Sequence, residues 1–273
     1  RGSGGWSPAG VWGQSPHGLK ECVTITIKEL REIKKQRNRE AFLVEGKAVF
    51  DVGAENILTY VVAETVAFEG RGTPVVRLSE RSFFSLSSTK TPQEVIAVCR
   101  KPSPKIEDIF KSDSPFLLVG ENLNDPGNIG TIIRTAAAAD ATGVVLSKGS
   151  CSIYNPKSIR ATAGTIFHIP IIENVILDDF FALCKNRKIT LIASTPHANL
   201  LPYHLNLTVP LALLIGNESN GLSPQTIKIA DHQVKIPTFK NTESLNASTA
   251  AAILLYETLR QRLFGIAKAT IQI

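Results

Sequence analysis

The chain has no methionine, two tryptophans, four cysteines and no uninterrupted apolar stretch approaching the ~20 residues that span a bilayer. Each scarcity excludes something. Cys22, Cys99, Cys151 and Cys184 are far apart and form no C-x-x-C pair, which argues against a zinc ribbon or a disulfide framework and for a reduced, cytoplasmic protein. His17, His168, His197, His204 and His232 show no metal-ligand spacing, so no metal is expected. No G-x-G-x-x-G and no glycine-rich phosphate loop occurs, which counts against a nucleotide-dependent Rossmann enzyme. The start has no secretory-signal pattern. Residues 1–18 are rich in Gly, Ser and Pro without periodicity, and residues 1–22 are set aside as a disordered tail or tag remnant.

What is present fits a soluble α/β protein. The 273 residues are 43% hydrophobic and 20% charged, and 30 Lys+Arg against 24 Asp+Glu leave a net charge of +6, which suits a polyanionic partner. A basic helix is expected from Ile25 to about Arg39. Strands are expected at Phe42–Gly46, Ile57–Glu64, Val75–Leu78 and Glu94–Arg100, with a helical stretch near Lys47–Val52. The proline-broken, charged segment Lys101–Asp108 reads as a linker. Beyond it, apolar strands at Pro115–Gly120, Gly143–Ser147, Lys188–Ser194, Pro210–Gly216 and Val234–Pro237 alternate with helices after Asn128, Asn155 and Ser223 and from about Ser244 to Leu263. Continuous apolar runs of this kind mark a parallel sheet covered on both faces. The domains expected are residues 23–104, a small α/β RNA-binding unit, and residues 105–273, a larger parallel-sheet domain.

Three segments stand out, each joining a strand end to a helix start, where open α/β sheets bind their ligands. In ENLNDPGNIGTIIRTA (Glu121–Ala136), Asn128 occupies the expected N-cap position. In LLIGNESNGLSP (Leu213–Pro224), two glycines and two asparagines surround Glu218, and glycine permits close backbone approach. In Ile236–Arg262, Thr242 or Ser244 is expected to cap a helix rich in alanine. Taken singly, each segment reads as an ordinary capped strand–turn–helix connection.

Together and in order they resemble the three signature motifs of the SpoU–TrmH family of RNA ribose 2′-O-methyltransferases, in the SPOUT superfamily. Asn128, Gly130 and Arg134 match N-x-G-x-x-x-R; IGNESNGLS matches the second motif; Ile236-Pro237 followed by SLNAS-x-A-x-A matches the third. Tyr154–Ile171 resembles the stretch between the first two motifs. The N-terminal part resembles, through Arg39, Phe42 and Gly46, the ribosomal-protein-like RNA-binding domain of many members.

The resemblance implies a trefoil-knotted domain, a homodimer and S-adenosylmethionine as cofactor. It implies a pocket of Ser194, Thr195, Leu214, Gly216, Asn217, Ile236, Leu245 and Asn246. Asn128, Arg134, Glu218, Ser244 and Asn246 match the family's catalytic positions. The substrate implied is structured RNA; the two-domain layout favours ribosomal over transfer RNA, and the basic run Lys34, Lys35, Arg37 and Arg39 is the expected RNA contact in the small domain.

Physics refines one role. A guanidinium, with its pKa above ~12, rarely gives up a proton, so Arg134 is read as a phosphate clamp and alkoxide stabiliser rather than a base. Asn128 and Arg134 would point about 120° apart on one helix. They reach one substrate only if Asn128 precedes the helix or if the two serve different subunits. The rival reading is a non-catalytic RNA-binding or ribosome-assembly factor that keeps the fold.

Overall fold

A computed structural model describes residues 25–89, 93–239 and 244–265. The expected tail, Cys22 and Thr242 lie outside these residues.

The N-terminal part folds as α1 (Ile27–Lys34), β1 (Ala41–Glu45), β2 (Ile57–Ala63), β3 (Val75–Leu78), α2 (Glu80–Leu86) and β4 (Val95–Arg100). The sheet order is β1-β4-β2-β3, with β4 antiparallel to both neighbours and β3 parallel to β2. Thr26 and Glu29 form a capping box that starts α1, and Leu30 and Ile33 turn its apolar side inward. The helix ends well before the expected Arg39. Gln36 takes a left-handed conformation (φ 61°), and the Asn38 side chain accepts the N–H groups of Glu40 and Ala41, both at 2.8 Å, turning the chain into β1. The short helix α2 was not anticipated; it buries Phe83 and Leu86.

The C-terminal part runs β5 (Phe116–Gly120), α3 (Pro126–Ala138), β6 (Gly143–Ser147), α4 (Pro156–Thr162), β7 (Ile171–Val175), α5 (Leu177–Asn186), β8 (Thr190–Ser194), β9 (Leu211–Ile215), α6 (Pro224–Ile229), β10 (His232–Val234) and α7 (Ala247–Phe264). Its strands are all parallel, in the order β10-β8-β9-β5-β6-β7. All of β5, β6 and β9 is buried, as their unbroken apolar runs require. Edge strand β7 buries only Ile171 fully and carries Glu173 and Asn174, so it lacks that signature and was not anticipated; nor was α5. The strand expected at Val234–Pro237 lies earlier, because pairing with β8 stops at Ser194 opposite Val234 and Lys235 N–H turns away to Leu200 O.

The two parts on either side of the expected linker each have a buried cluster of their own and also pack on each other. Residues 101–105 are irregular, but Tyr154 Oη donates to Pro102 O at 3.2 Å and the Lys101 ammonium lies 4.5 Å from the centre of the Tyr154 ring. The Phe42 ring meets Tyr154 at 5.0 Å and Phe167 at 5.7 Å between centroids. Phe42 and Val44 of β1, with Val49 just after it, share one buried cluster with Phe116, Ile129 and Ile159. Arg160 of α4 pairs with Glu45 of β1 at 3.8 Å and hydrogen-bonds Ser88. Among the described residues no helix is long and apolar enough to cross a membrane.

Candidate active site

β5 and β9 lie side by side at the centre of the larger sheet, and the chain leaves them in opposite directions, towards β6 and β7 on one side and β8 and β10 on the other. The crevice at such a switch point is where open parallel sheets take their ligands. The first motif follows β5 and the second follows β9, so both open onto it.

The two loops are tied together. The Glu121 carboxylate accepts Ser223 N–H at 3.1 Å, and Asn217 Nδ2 donates to Asn122 O at 2.7 Å. Asn217 Oδ1 accepts the N–H groups of Ser219 and Asn220, while Asn217 and Gly221 exchange backbone bonds at 3.0 and 2.9 Å, folding the second motif into a tight hairpin. Gly221 takes φ +67°, and a Cβ on Gly216 would lie 2.1 Å from Leu222 N. Gly216 is therefore needed by the loop itself. Gly130 is likewise explained by packing: a Cβ there would sit 2.3 Å from Ser158 O, at the close approach of α3 to α4.

Asp125, not Asn128, caps α3. Its carboxylate accepts the N–H groups of Gly127 and Asn128, Pro126 follows at the first helical position, and Lys157 Nζ lies 2.9 Å away. The Lys157 hydrogen bond and the helix amides hold the Asp125 carboxyl below the usual aspartate range. The Asp-Pro-Gly sequence carried the signal for this cap. Asn128 thus sits inside the helix, which closes the option that it precedes it. Arg134, two turns on, is exposed and makes no hydrogen bond or ion pair among the described residues.

Asn246, rather than Thr242 or Ser244, caps α7. Its Oδ1 accepts Ser248 N–H at 2.9 Å and Thr249 N–H at 3.4 Å. Its Nδ2 donates to Asn128 Oδ1 at 3.1 Å, and Asn128 Nδ2 donates to Glu218 Oε1 at 2.8 Å. One residue from each of the three segments joins this chain of hydrogen bonds. Ser244 stands exposed before the cap.

The residues expected at the cofactor lie at the ends of neighbouring strands. Thr195 N–H donates to Val234 O at 2.9 Å, which ties the end of β8 to β10. Gly216 and Asn217 follow β9, and Ile236 and Leu245 are half-buried in the segment after β10. Leu214 is fully buried among Val119, Val145 and Leu191, so its side chain belongs to the core.

The SpoU rRNA methylase family model matches residues 115–256. The chain belongs to the SpoU rRNA methylase family. The 23S rRNA (guanosine(2553)-2′-O)-methyltransferase RlmP of Bacillus subtilis is 30% identical over 236 residues, covering 84% of this chain and 92% of that protein. The structure of the SpoU methyltransferase AviRb from Streptomyces viridochromogenes in complex with AdoMet superposes with a TM-score of 0.79 at 26% identity, covering 88% of this chain and 98% of that one. An AdoMet-bound rRNA methyltransferase from Sinorhizobium meliloti gives 0.75 at 27% identity, covering 87% and 94%.

In the small domain the four expected RNA contacts divide. Lys34 Nζ donates to Ser85 O and Ser87 O at 2.9 and 2.8 Å, satisfying carbonyls at the end of α2. Lys35 and Arg37 each lie 3.5 Å from Glu32 and are exposed, and Arg39 is exposed beyond the helix.

Proposed function

We propose that this SpoU protein transfers the methyl group of S-adenosylmethionine to a ribose 2′-hydroxyl of ribosomal RNA. The observation that carries the reading is the Asn246–Asn128–Glu218 chain, which brings the three motifs to one point at the switch of the sheet. The relative named above as a 23S rRNA 2′-O-methyltransferase, and the AdoMet complexes, point the same way.

The residues present suit the cofactor. Two adjacent strand ends, those of β8 and β9, offer backbone groups at Ser194–Thr195 and Gly216–Asn217, and the half-buried side chains of Ile236 and Leu245 suit an adenine face. When bound, S-adenosylmethionine supplies a methyl group on a sulfonium, a leaving group that departs without metal assistance. The chain's own task is to hold the RNA ribose in line and to manage the proton of its hydroxyl.

We read Arg134 as a clamp for RNA phosphate and for the developing alkoxide. Since it points about 120° away from Asn128 on α3, it serves the site of a second subunit in a homodimer. The trefoil knot is supported by the family resemblance and by one long-range contact. β10 lies at one edge of the sheet, yet Asn246 hydrogen-bonds Asn128 of α3, which follows the central strand β5. We assign RNA capture in the small domain to Lys35, Arg37 and Arg39, and read the protein as cytoplasmic.

Calorimetry with S-adenosylmethionine, followed by transfer of labelled methyl to total RNA from cells lacking the protein, tests the proposal. A 2′-O-methylnucleoside in the ribosomal RNA digest is expected. Binding of RNA without transfer would favour the assembly-factor reading, and a base-methylated product would refute the ribose assignment.

A further inference from the structure

The polarity of the hydrogen-bond chain is forced, and it runs outward from a helix. The N–H groups of Ser248 and Thr249 can only donate, so Asn246 must present its oxygen to them and its Nδ2 to Asn128. Asn128 must then present its oxygen to Asn246 and its own Nδ2 to Glu218. The amide orientations follow from the cap alone, and the last member has to be an acceptor. Glu218 Oε1 fills that role. Its other oxygen, on an exposed side chain, has no hydrogen-bond partner among the described residues.

The other described carboxylates of the three segments are engaged elsewhere, and Glu243 of the third segment lies outside the described residues, so it enters the test below. Glu121 is buried and takes Ser223 N–H; Asp125 holds the α3 amides and Lys157; Glu257 pairs with Arg260 and Gln261. None of the segments contains a histidine. Arg134 cannot accept a proton at physiological pH, and its helical position turns it away from Asn128.

We propose that Glu218 is the proton acceptor for the ribose 2′-hydroxyl, an inference that rests on the methyl-transfer reading above. As the 2′-oxygen forms its bond to the methyl carbon, the carbon–sulfur bond breaks and its electron pair stays on sulfur, discharging the sulfonium. The hydroxyl proton passes to the free Glu218 oxygen. Asn128 and Asn246 are positioning residues: they fix which oxygen is free and tie the carboxylate, through two side-chain amides, to the α7 cap.

The test is single-turnover methyl transfer to RNA from cells lacking the protein, measured from pH 6 to pH 9.5 in the wild type, Glu218→Gln, Glu218→Asp and Glu243→Gln. Without an internal acceptor the hydroxyl must lose its proton to solvent. Glu218→Gln should therefore fall about 100-fold or more at neutral pH, and its log rate should climb with a slope near 1 while the wild type rises less steeply. Glu218→Asp should be slower but keep the wild-type slope, and it decides the matter should Glu218→Gln not bind cofactor. Glu243→Gln should behave as wild type. A Glu218→Gln rate lowered by the same factor at every pH would reduce the residue to positioning and overturn the assignment, as would the steep profile appearing in Glu243→Gln instead. A wild type that transfers methyl alongside an unimpaired Glu218→Gln would defeat this proposal and leave the reaction assignment standing.

Discussion

The α-carbon of Gly216 faces the amide nitrogen of Leu222 so closely that a methyl group added there would lie 2.1 Å from it. The contact is internal to the second motif, so a side chain at this position should distort the loop before any ligand arrives. Gly216→Ala is expected to lower the melting temperature, in line with the ~1–3 kcal/mol typical of overpacking, and to weaken S-adenosylmethionine binding in the same variant. Differential scanning fluorimetry and calorimetry check this. Lost affinity at an unchanged melting temperature would place the clash against the cofactor instead.

Removing the N-terminal part is a poor test of RNA binding, because Phe42 packs against Tyr154 and stacks on Phe167 of the larger part. Side-chain changes are cleaner. The Lys35→Ala, Arg37→Ala, Arg39→Ala triple variant should bind RNA more weakly. Its plot of log affinity against log salt should be shallower by roughly 1 per lost phosphate contact, with cofactor affinity intact. Lys34→Ala should instead destabilise the fold, since its ammonium satisfies carbonyls at the end of α2. An unaltered salt slope in the triple variant would rule out this face.

Arg134 is exposed and contributes no contact to the core. Arg134→Ala should leave the melting temperature alone while losing about 2–4 kcal/mol of transition-state stabilisation, and Arg134→Lys should recover only part of it. If the residue acts across a two-fold interface, re-assembling equal amounts of Arg134→Ala and Glu218→Gln should restore about a quarter of wild-type activity. Random pairing gives half heterodimers, each with one intact site. Failure of the mixture to exceed either parent would return Arg134 to its own subunit's site.

Asp125 links α3 to the site through its cap. Asp125→Ala should cost about 1 kcal/mol of stability, and Asp125→Asn, which keeps the cap oxygen, should cost less. The Asp125 carboxyl is held below its unfolded value, so its contribution is complete above the ordinary aspartate range and is lost as the pH falls through the depressed value. Urea titrations at pH 7 and pH 3 should show the wild-type advantage over Asp125→Asn shrinking at the lower pH.

Glu173 behaves in the opposite sense. Burial raises its carboxyl above the usual range, against the hydrogen bond from Ile153 N–H and the charge of Lys101, which pull it down. A raised carboxyl disfavours the folded state once the pH exceeds the unfolded value, because the folded protein must hold the charge at greater cost. Glu173→Gln should therefore melt higher than the wild type at pH 8, and the gap should close as the pH falls towards 5. A variant that melts lower at pH 8 would mean that the Lys101 pairing outweighs burial.

Strand existence was legible wherever burial was complete: β5, β6 and β9 are unbroken apolar runs, and a parallel sheet has no other way to cover both faces. β7 was missed because an edge strand tolerates Glu173 and Asn174. The caps were misassigned for a different reason. Asp125, Asn128, Ser244 and Asn246 are all good cap residues; Pro126 marks Asp125 as the cap of α3, whereas only the three-dimensional path selects Asn246 over Ser244 for α7. The motif residues were legible as a set through their order along the chain. What could not be read was their division of labour: Gly130 and Gly216 serve packing, while Asn246 serves a helix and a hydrogen-bond chain at once. Lys34 looked like its neighbours in a basic run, yet a contact 51 residues away removes it from the solvent-facing set.

The apolar seam where Phe42 meets Tyr154 and Phe167 bears on how such a protein can acquire new targets. A recognition module on a flexible tether could be exchanged whole for another. Here the small sheet's inner face is committed to the shared core, so an exchanged module would have to reproduce that seam as well as the new specificity. Divergence is channelled to the outward surface around Lys35, Arg37 and Arg39, where substitutions leave the buried seam undisturbed.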